Sequence, residues 1–284
     1  MAFTTQYERR RTLRVRLAIL IWVTLILAGF KNLTRFSNFG SVTVSVCIPA
    51  VLEDVEDGSL SRALVSVARQ TVSPNEVIII LSGVNRSFAE VAFTALKEKY
   101  THPSRCHLAW SQTALAPGES RNLGAASATG HVVAFHDADD LMHQEKVEII
   151  SKRFRKQHIF VTGSLQLLLH GHTKDERAFS RGYVEKLKVS NVQSVCVRHL
   201  RTKERQDYLD SKELHWPITH GHASFASTLL KQMKYDSRKK GEDTGIIRRS
   251  LDFICESAHA HAEIVDAPLS YYISRLKKKK QTVT

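Results

Sequence analysis

Apolar, β-branched runs alternate with amphipathic stretches along the first half of this chain, and that alternation narrows the folds open to it. Val42 to Ile48 is a β-branched run that stops at Pro49, the pattern of a strand buried on both faces. Ser59 is placed to cap a helix in which Leu60, Ala63, Leu64, Val67 and Ala68 share one side. Glu76 to Leu81 reads as a second strand, ended by Ser82-Gly83, and Phe88, Val91, Ala92, Ala95 and Leu96 mark a second amphipathic helix. Cys106 to Trp110 reads as a third strand, Ser120 to Thr129 as a small-residue helix, and His131 to Phe135 as a fourth strand. Such alternation predicts an α/β domain with a mainly parallel sheet flanked by helices. Ligands bind at the carboxyl ends of the strands in sheets of this kind. The second half is less regular: Ile159 to Leu169 suggests a long strand, His170 to Tyr183 a polar excursion, and Val192 to Arg198 another strand. Asp243 to Cys255 is helical in pattern, with Ile246, Ile247, Ser250, Leu251 and Ile254 on one side.

A domain of this kind accounts for residues 41–284. Ahead of it, Leu17 to Phe30 is an uninterrupted apolar run, extended by Leu13 and Val15 between Arg14 and Arg16. The clean run is shorter than the roughly 20 residues a bilayer core asks for, but flanking arginines can snorkel. Arg9, Arg10, Arg11, Arg14 and Arg16 precede it, whereas Lys31 and Arg35 follow. That asymmetry keeps the N-terminus in the cytosol and carries the body across the membrane. The expected organisation is a basic cytosolic tail at 1–12, a transmembrane signal-anchor at 13–30, a short stem at 31–40 and one domain at 41–284. This describes a single-pass type II membrane protein with its body in the lumen of the Golgi or ER. A cleaved signal peptide is the rival reading, disfavoured because Leu27-Ala28-Gly29-Phe30 is a poor small-x-small cleavage site. Asn32-Leu33-Thr34 and Asn85-Arg86-Ser87 are glycosylation sequons, meaningful only if the body is lumenal.

The formal net charge of +13 raises the question of a nucleic-acid partner. The basic residues are scattered, denser only at the termini and around Arg238 to Lys240, and no stretch interleaves them with aromatics as a single-strand groove would. No nucleic-acid partner is expected. Cys47, Cys106, Cys196 and Cys255 form no CxxC pair, which argues against structural zinc. The first three lie in apolar, strand-like segments and read as free buried thiols, with a disulfide left open.

Chemistry concentrates in Phe135-His136-Asp137-Ala138-Asp139-Asp140-Leu141, where three carboxylates follow the fourth strand. They repel one another unless something positive sits among them. On an open loop water would screen that repulsion, and at a metal site the ion would neutralise it. Carboxylates suit Mg²⁺ or Mn²⁺, with open positions for a substrate diphosphate. Just upstream stand Arg121-Asn122-Leu123-Gly124, Ala128-Thr129-Gly130 and the apolar run His131 to Phe135. This ordered text closely resembles the inverting family 2 glycosyltransferases with the A-type (GT-A) fold. Their recurring pattern is an Arg-Asn-x-Gly helix, an Ala-x-Gly turn, an apolar strand and Asp-x-Asp-Asp. Val44-Ser45-Val46-Cys47-Ile48-Pro49 resembles the family's first strand, Ala63 to Thr71 its first helix, and Gly241-Glu242-Asp243 its late Glu-Asp motif. The resemblance covers about residues 42 to 275.

The resemblance implies a Rossmann-like GT-A domain that moves a sugar from a nucleotide-sugar to an acceptor hydroxyl on a glycan, protein or lipid, with inversion and metal assistance. It assigns catalysis to Asp243 as base with Glu242 beside it. Donor binding falls to Pro49, Ser82, Arg121, Asn122 and Asp137, and Mn²⁺ or Mg²⁺ to Asp137 and Asp139. Trp216, His220 and His222 form the acceptor wall. From the residues alone, Asp243 also reads as an ordinary acid at a helix start, and His220-Gly221-His222 also reads as a metal pair. Two departures stand out: Ser82 takes the place of an acidic nucleoside-binding turn, and Ala50-Val51-Leu52 replaces the usual Tyr-Asn. Two other functions therefore stay open. One is a binding or scaffold protein that keeps the fold without turnover. The other is a nucleotidyltransferase, which would normally carry a Gly-rich basic loop where Val51 to Gly58 is acidic.

Overall fold

The computed structural model describes residues 42–100, 104–156, 165–191, 218, 221–238, 240–257 and 260–273. The first half forms as the alternation predicts. Strands β1 (Val44–Ala50), β2 (Glu76–Ser82), β3 (Arg105–Ser111) and β4 (Val132–Phe135) run parallel in the order β3-β2-β1-β4. Every residue of β2 is buried, because helices cover both faces of a parallel sheet. Between the strands lie α1 (Leu52–Glu56), α2 (Ser59–Ala68), α3 (Arg86–Lys99) and α4 (Pro117–Ser127). Ser59 is the first residue of α2 rather than its cap. Gly58 caps the helix at φ 72°, and Asp57 accepts the Ser59 N–H at 2.8 Å.

Two glycines let α4 and its exit lie close to the sheet. A Cβ on Gly124 would stand 2.8 Å from Ile80 Cδ1, and one on Gly130 would stand 2.5 Å from Ser45 Oγ. Glycine is the residue that permits such approach, which gives the Arg-Asn-x-Gly and Ala-x-Gly text a packing reason.

The second half departs from a mainly parallel sheet. Its strands are β5 (Leu141–Met142), β6 (Leu165–Thr173), β7 (Val189–Asn191), β8 (Ser224–Ala226) and β9 (Ala260–Tyr271). They extend the sheet as β4-β8-β6-β9-β5, with β7 beside β9. β8 is antiparallel to both β4 and β6, β6 and β9 are parallel, and β5 and β7 run antiparallel to β9. The sheet is mixed. Three-residue β8 is too short to show a period, and β6 runs on through His170 to Thr173, where polar residues are buried. The strand expected at Val192 to Arg198 lies outside the described residues.

The remaining helices among the described residues are α5 (Lys146–Lys156), α6 (Glu176–Phe179), α7 (Ser227–Gln232) and α8 (Glu242–Glu256), with a 3-10 turn at Val184–Lys186. Ile246, Ile247, Ser250, Leu251 and Ile254 of α8 are buried, as the helical pattern requires. Cys47 and Cys106 are free, whereas Cys255 is disulfide-bonded. Among the described residues no helix is long and apolar enough to cross a membrane. The anchor expected at 13–30 lies outside them.

At the sheet edge where the parallel strands begin, buried Glu76 accepts from Ser45 Oγ at 2.6 Å and from Thr129 N and Oγ1 at 2.7 and 2.9 Å. Burial opposes its ionisation, but these bonds and nearby His107 hold the carboxyl below its ordinary range. A depressed folded pKa adds stability above the unfolded value of about 4.3 that is lost as pH falls through the folded value. Glu76→Gln should therefore cost about 1–3 kcal/mol at pH 7. The deficit should shrink below pH about 4, as read by urea unfolding at both pH values. An equal deficit at the two would show that the charge contributes nothing.

Candidate active site

β1 and β4 pair with Cys47 opposite Phe135, so both end at one edge of the sheet. Pro49 has no N–H to extend that ladder. The last rung is His136 N–H to the Cys47 carbonyl, 3.0 Å. The chain then turns tightly, with Asp140 N–H donating to the Asp137 carbonyl at 3.2 Å. Ser82 ends neighbouring β2 at the same edge and is buried.

One guanidinium organises this edge. Arg121 of α4 is 5% exposed, donating through Nη2 to Asp137 Oδ1 at 2.8 Å and through Nη1 to Glu242 Oε1 at 2.7 Å. Glu242 opens α8 and is itself 6% exposed. The Tyr235 ring lies 5.6 Å from the guanidinium carbon. A planar fork of donors suits two carboxylates at once. Gly221 makes the approach possible, since a Cβ there would meet Asp137 Oδ2 at 3.1 Å and Arg121 Nη2 at 3.2 Å.

On the other side of Asp137 stands His222, fully buried, with Nε2 3.1 Å from Asp137 Oδ2 and 3.2 Å from Asp140 Oδ2. Its Nδ1 contacts Ser270 Oγ, and its carbonyl accepts from His170 Nε2 at 2.9 Å. Burial alone would depress the His222 pKa, but the two carboxylates raise it and favour the imidazolium. Burial likewise works against the Asp137 charge. His222 and Arg121 outweigh it and hold that carboxyl far below its usual range.

Beneath the turn, Lys146 is wholly buried and donates from Nζ to the Phe135 carbonyl at 3.3 Å. Burial pushes this amine down to about 7, against the pull of Asp137 and Asp140. The His136 ring packs edge-on to His222 at 4.9 Å, and burial drives both His136 and His170 well below the ordinary histidine value.

Of the residues picked out by sequence, Arg121, Asp137, Glu242 and His222 therefore come together in one connected set. His222, expected on the acceptor wall, is instead buried between two carboxylates. Asp243 follows Glu242 on the first turn of α8, half-buried, with Oδ1 accepting the Thr244 N–H at 2.7 Å. Both amide groups of Asn122 bond the Tyr235 backbone at 2.9 Å, fastening α4 to the segment before α8. Pro49 sits half-buried at the β1 end, while Trp216 and His220 lie outside the described residues.

Asp137, Asp140 and His222 form a group able to hold a metal, each offering one ligand atom and all three atoms within 4.8 Å of one another. Asp139, expected as a ligand with Asp137, is half-exposed on the turn and falls outside that group. Sequence reasoning missed Lys146, His170 and Tyr235. Lys146 shares its helix with Lys152, Arg153, Arg155 and Lys156, so nothing marked it apart from a solvated face.

Comparison with known proteins bears on the family and the fold. A profile described as glycosyl transferase family 2 matches residues 45–225, more than half of the chain. An uncharacterised glycosyltransferase of Rickettsia felis is 30% identical over 128 residues, 44% of this chain and 18% of its own length. One from Nostoc sp. is 36% identical over 100 residues, 35% of this chain and 30% of its own length. The chain thus spans less than a third of the length of these curated relatives. S. aureus TarS 1–349 in complex with UDP is similar at a TM-score of 0.54 and 17% identity, over 84% of this chain and 62% of that one. TarS 1–349 in complex with UDP-GlcNAc gives a TM-score of 0.54 at 18% identity, over 82% and 59%. At such identities the likeness speaks to the fold.

Proposed function

The chain belongs to glycosyl transferase family 2, and from that membership we propose that it moves a sugar from a nucleotide-sugar donor to an acceptor hydroxyl, with inversion and metal assistance. The observation that carries this reading is the double ion pair of Arg121. It joins the acidic turn after β4 to the Glu-Asp pair opening α8, so residues far apart in sequence share one site.

In a single displacement, a base takes the acceptor proton while its oxygen attacks the anomeric carbon opposite the departing diphosphate. Asp243 is the residue for that step. The Thr244 N–H orients its carboxylate through Oδ1, and Glu242, tied to Arg121, fixes the helix start on which it stands. Arg121 has both terminal nitrogens engaged by carboxylates, so its part is to hold the site together.

Asp137, Asp140 and His222 fit a divalent ion, and the imidazole favours Mn²⁺ over Mg²⁺, which prefers an all-oxygen shell. Bound there, a metal would offset the charge of the leaving diphosphate. Ser270 on His222 Nδ1 would act as the outer partner that orients a ligating imidazole. EDTA should abolish turnover, and Mn²⁺ should restore it better than Mg²⁺. Turnover indifferent to chelation would remove the metal from the reading.

The UDP and UDP-GlcNAc complexes of TarS make a uridine donor the first to test. The acceptor would be a glycan, protein or lipid. For location we propose a type II membrane protein, anchored by residues 13–30, with the domain in the Golgi or ER lumen. The arginine asymmetry supports this, and the oxidised Cys255 suits an oxidising compartment. The direct test is a thermal-shift and product assay of the full chain with UDP-, GDP- and CDP-sugars and Mn²⁺. No response to any nucleotide would overturn the proposal. Binding without transfer or hydrolysis would favour the non-catalytic alternative.

A further inference from the structure

We propose that Lys146 is a positioning residue whose buried side chain holds the end of β4, and the Asp137–Asp140 turn that hangs from it, in the shape that binds nucleotide and metal. The inference rests on the transferase reading of the site.

Lys146 opens α5, and its backbone is firmly placed. Its own N–H donates to the His143 carbonyl at 3.0 Å, and the Val147 N–H donates to Gln70 Oε1 at 2.9 Å. Gln70 Nε2 in turn donates to the His143 carbonyl at 2.8 Å. From that fixed start the side chain runs inward to the Phe135 carbonyl, at the last residue of β4. Phe135 is already held elsewhere. Its N–H donates to the Ala223 carbonyl at 3.2 Å, and its ring packs against Phe225 and Tyr235 at 6.0 and 5.3 Å. Lys146 secures the remaining carbonyl, immediately before the chain enters His136 and Asp137.

An amine at this place is hard to explain by packing. Lysine is among the residues least often fully buried, and a methionine would fill similar space without desolvating an amine. The groups facing it are His136, His170 and His222 together with Asp137 and Asp140. None of the carboxylates forms a direct ion pair with it among the described residues. Lys146 thus places an N–H donor on the protein side of a carboxylate turn that is part-open to solvent on its other side, at Asp137. Its hydrogen bond acts on that turn from beneath.

The experiment compares the full-length wild type with Lys146→Met and with Ile150→Val, a buried apolar control on the same helix. Affinity for UDP with Mn²⁺ is measured by calorimetry, and the ligand-free melting temperature is recorded for each. Lys146→Met should lose about 10- to 100-fold in affinity, as removal of supporting residues around metal sites does. Its ligand-free melting temperature should fall no further than that of the control, which should itself bind within about twofold of wild type. Should Lys146→Met fail to fold, Lys146→Gln keeps a donor of shorter reach and should show the same loss in milder form. Wild-type affinity in these variants, or an affinity loss in Ile150→Val in proportion to its lost stability, would overturn the role of Lys146. A wild type that binds no nucleotide would overturn the transferase reading itself, and this inference with it.

Discussion

Arg121→Met should destabilise the protein by about 3 kcal/mol and abolish nucleotide binding. The substitution leaves Glu242 buried without its partner and removes the guanidinium beside Asp137. The larger share of the loss belongs to the Glu242 arm, where both side chains are almost wholly enclosed. The Asp137 arm is 35% exposed on the acid side, so water replaces part of that interaction. Arg121→Lys should recover little, because an ammonium cannot bridge two carboxylates in one plane as a guanidinium does. Urea unfolding and calorimetry with UDP and Mn²⁺ measure the two effects. An Arg121→Met protein that melts and binds like wild type would show that the bridge does not hold the site together.

Asp243→Asn should lower kcat by about 10²- to 10⁴-fold while stability and nucleotide affinity stay close to wild type. An asparagine oxygen can still accept the Thr244 N–H, so the helix start is preserved and only the capacity to take a proton is lost. The adjacent Glu242→Gln should lose stability along with activity, because its carboxylate pairs with Arg121. Two neighbouring acids that differ in this way would separate chemistry from scaffolding. Transfer near the wild-type rate in Asp243→Asn would move the base elsewhere, whereas combined loss of folding and binding would make Asp243 structural.

The strands and helices up to β4 were legible because burial on one or two faces leaves a period in the local text. Val44 to Ala50 and Glu76 to Ser82 are nearly continuous apolar runs, and α8 shows its buried side through Ile246, Ile247, Ser250, Leu251 and Ile254. Gly124 and Gly130 were visible as family text, and their packing against Ile80 and Ser45 supplies the cause. The mixed half was not legible. β8 is three residues long, and β6 carries buried His170 and Thr173 in what reads as a polar excursion.

The acidic turn, the Arg-Asn helix and the Glu-Asp pair were all present in the linear text, in order, and were enough to point to one family. Which of them touch was settled by strand order and register across separations that no local pattern encodes. Arg121 chooses Asp137 and Glu242 because α4 and the start of α8 meet over the ends of β1 and β4. Asn122, its neighbour, is turned to Tyr235 instead. Lys146 looks like ordinary surface charge in sequence, and His222 reads as part of an acceptor wall or a metal pair. Folding buries both near the carboxylates, where the low local dielectric strengthens the polar contacts that constrain the site.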